Sequence, residues 1–372
     1  MPQYADELLD HPLVGRPITE LPTPAPLVDL DVLEKNIATM AAFFADRPAT
    51  LRPHAKTHRA PAVARRQIAA GSHGVTCAKV SMAEAMVDGG IEDVFIANQV
   101  VPREAIERLC RLSQRAKVSF IADDAGNVAD LSAAAQAHGV TLSVLVEVDA
   151  GMGRCGTQPG KPTLDLALLI AKSPGLKFAG VHVYEGHVVQ HPDPEHRRIE
   201  TEKMLDRALE SSDLLQQHGL EVPRFTCGGT GTYAISGAYP GVTEHQSGSY
   251  VYMDPGYQQK LPEFGLAFSL LCTVISRPLP EKVITDGGLQ VLHSDGKPAV
   301  NGHPELNFRG LSEEHGNFLV RDGEHTDLAI GDTVKVHPGH CCAAANLHDF
   351  VYAVRNDQVE AVWRATARGR SQ

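Results

Sequence analysis

Six short segments of the sequence combine residue types that could carry out chemistry, and the first contains a single lysine. In LRPHAKTH, residues 51–58, Lys56 follows a short apolar run and precedes a helix-like segment. A lysine at the carboxyl end of a barrel strand lies where barrel active sites are found, and its amine can form a Schiff base with an aldehyde cofactor. For Lys56 alone, a solvated lysine or a salt bridge at the strand end is the alternative.

Two further segments supply an arginine and several histidines. VEVDAGMGRCG, residues 146–156, ends a predicted strand in acidic residues and then exposes Arg154 in a glycine-rich turn. An arginine fork suits a phosphate, a carboxylate or a phenolate. HVYEGHVVQH, residues 182–191, holds three histidines and Tyr184 at another predicted strand end, and histidine carries protons near neutral pH. The alternatives are an ordinary turn and histidines that serve only the core or the surface.

Two loops of small residues follow the last predicted strands. CGGTGTY, residues 227–233, presents a run of backbone N–H groups that can form an anion nest. HQSGSYVYMD, residues 245–254, is the second such loop, and two loops at successive late strands match the common phosphate site of a barrel. Neither loop has a Walker lysine or a GxGxxG pattern, so no nucleotide is indicated. Each loop alone could be no more than a turn.

The last segment, HPGHCCAAANLHD at residues 337–349, combines histidine and cysteine. If residues 340–342 are extended, His340 and Cys342 project from one face and Cys341 from the other. Imidazole and thiolate suit zinc or a similar divalent ion, and two protein ligands leave coordination positions open, as catalytic sites do. The alternative is a buried thiol beside a core histidine.

The elements that must position these segments alternate between strand and helix patterns. The strand candidates are short and nearly continuous in apolar character, as in a parallel sheet buried on both faces. They are APLVDL, ATLRPH, GVTCAKV, DVFIANQV, KVSFIAD, LSVLVEVD, KFAGVHVY and PRFTCGG. With helical patterns between them and no point of reversal, they predict a TIM-like (β/α)8 barrel over residues 24–258 rather than an open sheet.

Beyond about residue 260 the pattern changes to strands separated by turn signals, without helical periodicity. This predicts an all-β C-terminal domain over residues 259–372, joined by residues 1–23. The predicted fold class is therefore α/β, an N-terminal (β/α)8 barrel with a C-terminal all-β domain.

Composition excludes several partners. The formal net charge is -11 and no basic run occurs, which argues against a nucleic-acid partner. No stretch of 18 or more apolar residues occurs, so no membrane partner is expected. The start has no apolar signal-peptide core, and seven scattered cysteines suit reduced thiols in a cytoplasmic protein.

Taken in order, these segments resemble the D-threonine aldolase and D-serine dehydratase family, fold-type III pyridoxal-phosphate enzymes related to alanine racemase. The resemblance runs from TPAPLVDLDVLEKNI to VEAVWRATARG, nearly the whole chain, and LRPHAKTH, VEVDAGMGRCG, CGGTG, GSYVYMD and HxC…NLHD are among its most specific parts. It implies a barrel that binds pyridoxal 5'-phosphate, a C-terminal β domain that carries metal ligands, and a homodimer.

The resemblance also implies a role for individual residues. Lys56 matches the lysine that binds the cofactor covalently, Arg154 resembles an arginine near the phenolic oxygen, and Tyr184 matches a tyrosine of the pocket wall. Gln246 stands where alanine racemase places an arginine on the ring nitrogen. The residues matching the phosphate site are Thr230, Gly231, Gly248 and Ser249. The residues matching the metal ligands and the histidine that takes the substrate hydroxyl proton are His340, Cys342 and His191, with His187 as the alternative to His191.

The function implied is that of a carbon–carbon lyase. It would split 3-hydroxy-D-amino acids into glycine and an aldehyde, with pyridoxal phosphate and a divalent metal. One feature departs from the aldolases, which typically carry His-x-Asp at the metal site, whereas this chain has His-x-Cys. That pair is of the dehydratase type and favours zinc, while carboxylates suit manganese or magnesium. The alternative is therefore a dehydratase that converts D-serine or 3-hydroxy-D-aspartate to a 2-oxo acid and ammonia.

Three other classes fit less well. A racemase needs no metal site beside its substrate for proton exchange. A non-enzymatic barrel that carries pyridoxal phosphate would lack the C-terminal β domain. A metal hydrolase stays open only if Lys56 binds no cofactor.

Overall fold

In the computed structural model, which describes residues 5–372, strands and helices alternate as far as residue 245. The strands are β1 Glu7–Leu8, β2 Ala25–Asp29, β3 Thr50–Leu51, β4 Val75–Cys77, β5 Asp93–Gln99, β6 Lys117–Ala122, β7 Leu142–Glu147, β8 Leu176–His182, β9 Phe225–Cys227, β10 Glu244–His245, β11 Phe268–Ser276, β12 Lys282–Thr285, β13 Ala299–Val300, β14 Leu306–Leu311, β15 Gly316–Val320, β16 Thr333–His337, β17 Phe350–Arg355 and β18 Gln358–Arg364. The helices are α1 Leu30–Ala45, α2 Pro61–Ala69, α3 Val80–Asp88, α4 Arg103–Ser113, α5 Ala125–His138, α6 Lys161–Lys172, α7 Pro194–Gln217, α8 Tyr233–Ser236, α9 Pro255–Gln258, α10 Leu289–Leu292 and α11 Cys341–Ala345.

The first compact unit is the predicted barrel, and it comprises Met40–Lys56, Val63–Gly248 and Arg370–Gln372. Its eight parallel strands run in the order β3-β10-β9-β8-β7-β6-β5-β4. A parallel bridge between His54 and Thr76 joins the two ends of this order, and Ala55 N donates to the carbonyl of Thr76 at 2.8 Å. The prediction of a (β/α)8 barrel is confirmed.

The identity of two barrel strands differs from the prediction. Residues 25–29 form no barrel strand, because β2 pairs antiparallel with β11 and parallel with β17 in the other sheet. The eighth barrel strand is β10, which pairs with both β9 and β3. A continuous apolar run is equally typical of a central strand in a mixed sheet, so periodicity could not separate the two cases. The two polar residues of β10 carry no strand signal.

The second unit comprises the described residues up to Thr39, together with Thr57–Ala62 and Ser249–Gly369. Its sheet runs in the order β1-β18-β17-β2-β11-β12-β15-β14, and β16 pairs with β11 and β13. Ile18, Leu27, Leu271 and Val362 belong to its core. The predicted C-terminal β domain is therefore confirmed as a mostly-sheet region. The short helices α10 and α11 interrupt the strands and are too brief to give a helical period in the sequence.

A buried ion-pair cluster holds the amino-terminal ends of the barrel strands. Arg52 donates from Nε to Glu244 Oε2 at 2.7 Å and from Nη1 to Asp93 Oδ1 at 2.6 Å. The side chains of Arg52 and Glu244 are only 6% and 4% exposed. Glu244 opens β10 and Asp93 opens β5, so one guanidinium ties two strand starts together.

Replacing Arg52 with methionine is expected to lower the free energy of unfolding by about 3 kcal/mol, because it leaves Glu244 buried without its main cation. The loss stays at the lower end of the usual range since Arg224 Nη1 also lies 3.7 Å from Glu244. Urea unfolding measures it. The control is Arg115→Met at an ion pair with half-exposed side chains, where less than about 1 kcal/mol is expected. Equal losses in both variants would contradict the argument.

Within residues 5–372, no helix has both the length and the apolar character that crossing a bilayer requires.

Candidate active site

Lys56 lies just past β3 and past the bridge that closes the barrel. Its backbone N–H donates to His54 Nδ1 at 3.4 Å. Ala55 and Thr57 on either side are fully buried, whereas Lys56 is partly exposed. The backbone around Lys56 is thus fixed by burial and by the bridge at His54, and the residue remains partly exposed at the carboxyl end of a strand.

Arg154 lies in the glycine-rich turn after β7, and two groups orient it. Its Nη2 donates to Glu147 Oε1 at 3.3 Å. Its guanidinium carbon lies 5.2 Å from the centre of the Tyr184 ring. The Arg154 side chain is 45% exposed while that of Glu147 is 3% exposed. The buried Glu147 carboxylate therefore orients a guanidinium group that is still accessible to solvent. The structure thus brings together the predicted site residues Arg154 and Tyr184.

Glu147 is the centre of a network that sequence reasoning missed. Besides Arg154, its Oε1 accepts from the Cys155 thiol at 3.3 Å, and its Oε2 accepts from the Gln99 amide at 2.7 Å. The same amide lies 2.9 Å from Asp123 Oδ2, which also accepts from the backbone of Gly156 at 2.8 Å. The network fixes both ends of the turn. Its only signal in the sequence is an acidic residue ending a buried strand.

Three members of this network, Asp123, Glu147 and Cys155, offer ligand atoms within 4.8 Å of one another. Donors from the protein already engage both carboxylates. Burial is the main factor that raises the pKa of Cys155, which favours the protonated thiol that donates to Glu147. The cluster therefore serves to hold the turn of Arg154.

His182 and Gln246 lie side by side inside the barrel. Both are buried, and burial lowers the pKa of His182, so its imidazole is neutral. A hydrogen bond joins His182 to Gln246, and Gln246 Nε2 donates to Thr226 Oγ1 at 2.8 Å. Gln246, predicted to face a cofactor ring nitrogen, is thus a neutral amide held by hydrogen bonds with Thr226 and His182.

The first loop of small residues forms a one-turn helix at Thr230–Thr232, and Thr230 and Gly231 are buried there. A Cβ on Gly228 would lie 1.9 Å from His245 Nε2, so only glycine allows this approach. A Cβ on Gly229 would lie 3.1 Å from a Val189 methyl and 3.5 Å from the Tyr184 hydroxyl. Because Gly228 and Gly229 carry no side chains, they leave the loop open beside Tyr184, and we call these two residues the glycine cradle.

Of the remaining predicted loop residues, Gly248 is buried after β10 and Ser249 is partly buried. Gly248 is the last residue of its segment of the barrel unit, and Ser249 is the first of the following segment in the second unit.

His191 lies in the segment between β8 and α7. Its Nδ1 is 3.4 Å from the carbonyl of Asp193, and its ring lies 4.0 Å, centre to centre, from that of His196. Arg197 Nη1 donates to its carbonyl at 2.8 Å. His187 is exposed. His191 is thus the less exposed of the two candidate bases and has a ring contact with His196.

The candidate metal ligands lie in the second unit. His340 Nδ1 is 3.5 Å from Asp254 Oδ2. Cys342 Sγ is 3.2 Å from Thr57 Oγ1 and 3.7 Å from Ser249 Oγ. Hydrogen bonds with Asp254 and with Cys342 raise the pKa of His340 to about 10. Asp254 was not predicted as part of this site.

The backbone here differs from the extended segment assumed in the sequence analysis. His340 is extended, but α11 begins at Cys341, because the run of alanines favours a helix. The two thiols differ in their further contacts, since Cys341 Sγ lies 3.8 Å from Asp254 Oδ2 and Cys342 Sγ lies 3.2 Å from Thr57 Oγ1. Asp254 is the N-cap of α9 through Oδ1, which leaves Oδ2 for His340. The sequence signal that could have identified Asp254 as a helix N-cap is the Asp-Pro pair before a glycine.

These donor sets fit the two groups that the resemblance implies. An aldehyde phosphate requires an amine, a nest of small residues and a donor for a phenolate, and the barrel supplies Lys56, the glycine cradle and Arg154. A zinc ion is suited by a histidine whose other nitrogen is oriented by a carboxylate, together with a thiolate. His340, Asp254 and Cys342 provide this arrangement, which is typical of zinc.

Comparison with known proteins gives two matching families and several full-length relatives. The family model described as alanine racemase, N-terminal domain, matches residues 28–255, and a serine dehydratase domain matches residues 267–354. A D-threonine aldolase of Arthrobacter is 37% identical over 96% of this chain and 96% of its own length. A 3-hydroxy-D-aspartate aldolase of Paracoccus denitrificans is 37% identical over 96% of this chain and 95% of its own.

A solved structure extends this similarity to three dimensions. The crystal structure of D-threonine aldolase from Filomicrobium marinum superposes with a TM-score of 0.94 at 37% identity, covering 96% of this chain and 99% of that chain.

Proposed function

Because the chain belongs to the D-threonine aldolase and D-serine dehydratase family, whose barrel is that of alanine racemase, we propose that it cleaves 3-hydroxy-D-amino acids to glycine and an aldehyde. The proposed cofactors are pyridoxal 5'-phosphate and a divalent metal. The observation that carries the proposal is the position of Lys56 at the carboxyl end of β3, in the same unit as Arg154, Tyr184 and the glycine cradle.

In this proposal the barrel residues hold and orient pyridoxal phosphate. Lys56 binds its aldehyde, and Arg154, aimed by Glu147, donates to its phenolic oxygen. Tyr184 forms the wall, and Gln246 offers the ring nitrogen a neutral amide. The phosphate is held by Thr230, Gly231, Gly248 and Ser249. When bound, pyridoxal phosphate supplies an electron sink for the bond that breaks at the α-carbon of the substrate.

His340 and Cys342 are the proposed metal ligands, and Asp254 orients the imidazole. Imidazole with thiolate favours zinc over manganese or magnesium. A bound divalent ion supplies a Lewis acid that lowers the pKa of the substrate hydroxyl. The two sets of residues are joined in the chain, since Thr57 beside Cys342 directly follows Lys56. A homodimer and a cytoplasmic location remain predictions from the sequence.

His191 is the proposed base that removes the proton of the 3-hydroxyl. Its imidazole is held from both sides, by the His196 ring and by the backbone at Asp193. The side chain that accepts this proton must stay in place while the carbon–carbon bond breaks.

His191→Asn is expected to lower kcat about 10²–10⁴-fold, because general-base catalysis contributes an effect of this size, while the affinity for pyridoxal phosphate is retained. The control is His187→Asn, which changes an exposed histidine of the same segment and is expected to keep kcat within about 3-fold. Steady-state rates with D-threonine measure both. The reverse ranking would transfer the role to His187.

The experiment that tests the function is a product assay. Purified protein with pyridoxal phosphate and zinc or manganese is incubated with D-threonine, D-serine and 3-hydroxy-D-aspartate. Glycine with an aldehyde is the expected result. Ammonia with a 2-oxo acid would instead support the dehydratase, which the His-x-Cys pair and the serine dehydratase domain match favour. Neither product, with no uptake of pyridoxal phosphate, would contradict both.

A further inference from the structure

A buried carboxyl group lies beneath the glycine cradle, and nothing in the proposed reaction uses it. Glu185 is fully buried. Its Oε1 accepts from Thr232 Oγ1 at 2.5 Å and lies 3.0 Å from Ser236 Oγ. Oε2 is also buried, and hydrogen bonds from the backbone of Gly228 and of Glu185 itself reach the carboxyl group. A buried carboxyl group costs stability unless it is hydrogen-bonded, so the role of Glu185 lies in the groups that it holds.

The first thing that Glu185 holds is the turn from Gly229 to Thr232. Since the Thr232 hydroxyl gives its proton to Glu185, its lone pairs are directed to the backbone N–H of Gly229, 3.3 Å away. The backbone N–H of Thr232 also donates to the carbonyl of Gly229 at 3.1 Å. The two ends of the turn are thereby locked together, with Thr230 and Gly231 between them.

Glu185 also holds β10, the strand that leads into the loop of residues 245–254. Ser236 Oγ lies 2.9 Å from His245 Nε2. The backbone N–H of Ser247 donates to His245 Nδ1 at 3.3 Å, so Nε2 carries the proton and donates to Ser236. Burial lowers the pKa of His245 to about 3, which keeps this ring neutral. The Ser236 hydroxyl in turn has two acceptors at 3.0 Å, Glu185 Oε1 and the carbonyl of Thr232. Hydrogen bonds therefore link His245 through Ser236 to Glu185 and to Thr232.

The glycine loops contain no lysine or arginine, from residue 227 to 233 or from 245 to 249. A phosphate held there is bound by backbone N–H groups and hydroxyls alone. Such dipolar binding depends on how well the donors are preorganised. The group that fixes the loop therefore determines how tightly the phosphate is held.

We propose that Glu185 is the positioning residue that sets the shape of both phosphate loops, through Thr232 and through Ser236 and His245. The proposal rests on the proposed function, since it requires pyridoxal phosphate as the ligand. Burial raises the pKa of Glu185, which lessens the negative charge that the carboxyl group presents to the phosphate. Glu185 acts as a hydrogen-bond acceptor for the loop and not as a charge.

The test compares the affinity of the cofactor-free protein for pyridoxal phosphate and for pyridoxal, which lacks the phosphate. Absorbance titration gives both Kd values. Glu185→Ala is expected to weaken pyridoxal phosphate at least about 10-fold, the size of a lost buried hydrogen-bond network, and to leave pyridoxal within about 3-fold. Glu185→Gln is expected to stay near wild type, since an amide oxygen accepts the same two bonds.

Two further variants keep the test decisive. Thr232→Val removes the hydroxyl at nearly constant shape and is expected to reproduce the selective loss even if Glu185→Ala does not fold. Asn127→Ala changes a buried polar residue on α5 and is expected to leave the ratio of the two Kd values unchanged.

The outcomes separate the two proposals. If wild type binds pyridoxal phosphate no better than pyridoxal, the proposed function fails, and the role of Glu185 fails with it. If wild type shows the preference but Glu185→Ala and Thr232→Val keep it, or weaken both ligands equally, only the role of Glu185 is overturned. A large loss in Glu185→Gln would likewise overturn it, because the charge and not the acceptor would then matter.

Discussion

Lys56→Ala is expected to lower turnover of D-threonine on the order of 10³-fold or more, the scale on which removal of a covalent catalytic group acts. The reason lies in the position of the residue. The backbone around Lys56 is buried, and the bridge between His54 and Thr76 fixes it, so the amine is presented from a fixed position that alanine leaves empty of a nucleophile. Glycine release under saturating substrate and cofactor measures the rate.

The same variant has a second measurable consequence. Borohydride treatment of the wild-type protein loaded with pyridoxal phosphate is expected to label a single peptide that contains Lys56, and Lys56→Ala is expected to remain unlabelled. Lys161→Ala is the control, because that amine pairs with Asp165 on an exposed helix. A label that persists in Lys56→Ala, or a rate equal to wild type, would contradict the assignment of this lysine.

The barrel was predictable because its strands are marked at each repeat by an apolar run and a helix pattern. The same signal was ambiguous for β2, whose four consecutive buried residues fit a central strand of either sheet. It was absent for β10, since Glu244 and His245 are buried by partners that the sequence does not name. Glu244 meets Arg52 across 192 positions, and no local pattern encodes such a contact.

The residues of the site also differ in whether the sequence alone reveals them. Residues that act through their own chemistry, such as Lys56, Arg154 and His340, are visible as motifs. Residues that act by holding them are not, because Glu147, Glu185 and Asp254 look like ordinary acids until the fold brings their partners within hydrogen-bond distance. Glu147 is seven positions from Arg154, whereas Asp254 is separated from His340 by most of the C-terminal region.

Removing either proposed metal ligand is expected to abolish metal uptake and, with it, aldol cleavage. His340→Ala and Cys342→Ala are the two changes, and bound zinc per chain after gel filtration is the measurement. Cys341→Ala is the matched control, since this thiol is adjacent in sequence but contacts Asp254 rather than Thr57. It is expected to retain zinc. Loss of zinc in Cys341→Ala and retention in Cys342→Ala would assign the ligand to the other thiol.

Asp254→Asn provides an intermediate case that distinguishes a ligand set from a mere cluster of polar residues. Asp254 contacts His340 Nδ1, which leaves Nε2 for the metal, and an aspartate in that position fixes the ring and strengthens the ligand. The zinc Kd is therefore expected to rise about 10–100-fold, less than in His340→Ala, and cleavage is expected to return when zinc is supplied in excess. Recovery is possible because the ligands themselves are intact. If excess zinc restores His340→Ala equally well, the imidazole is no ligand, and the metal role of this cluster fails.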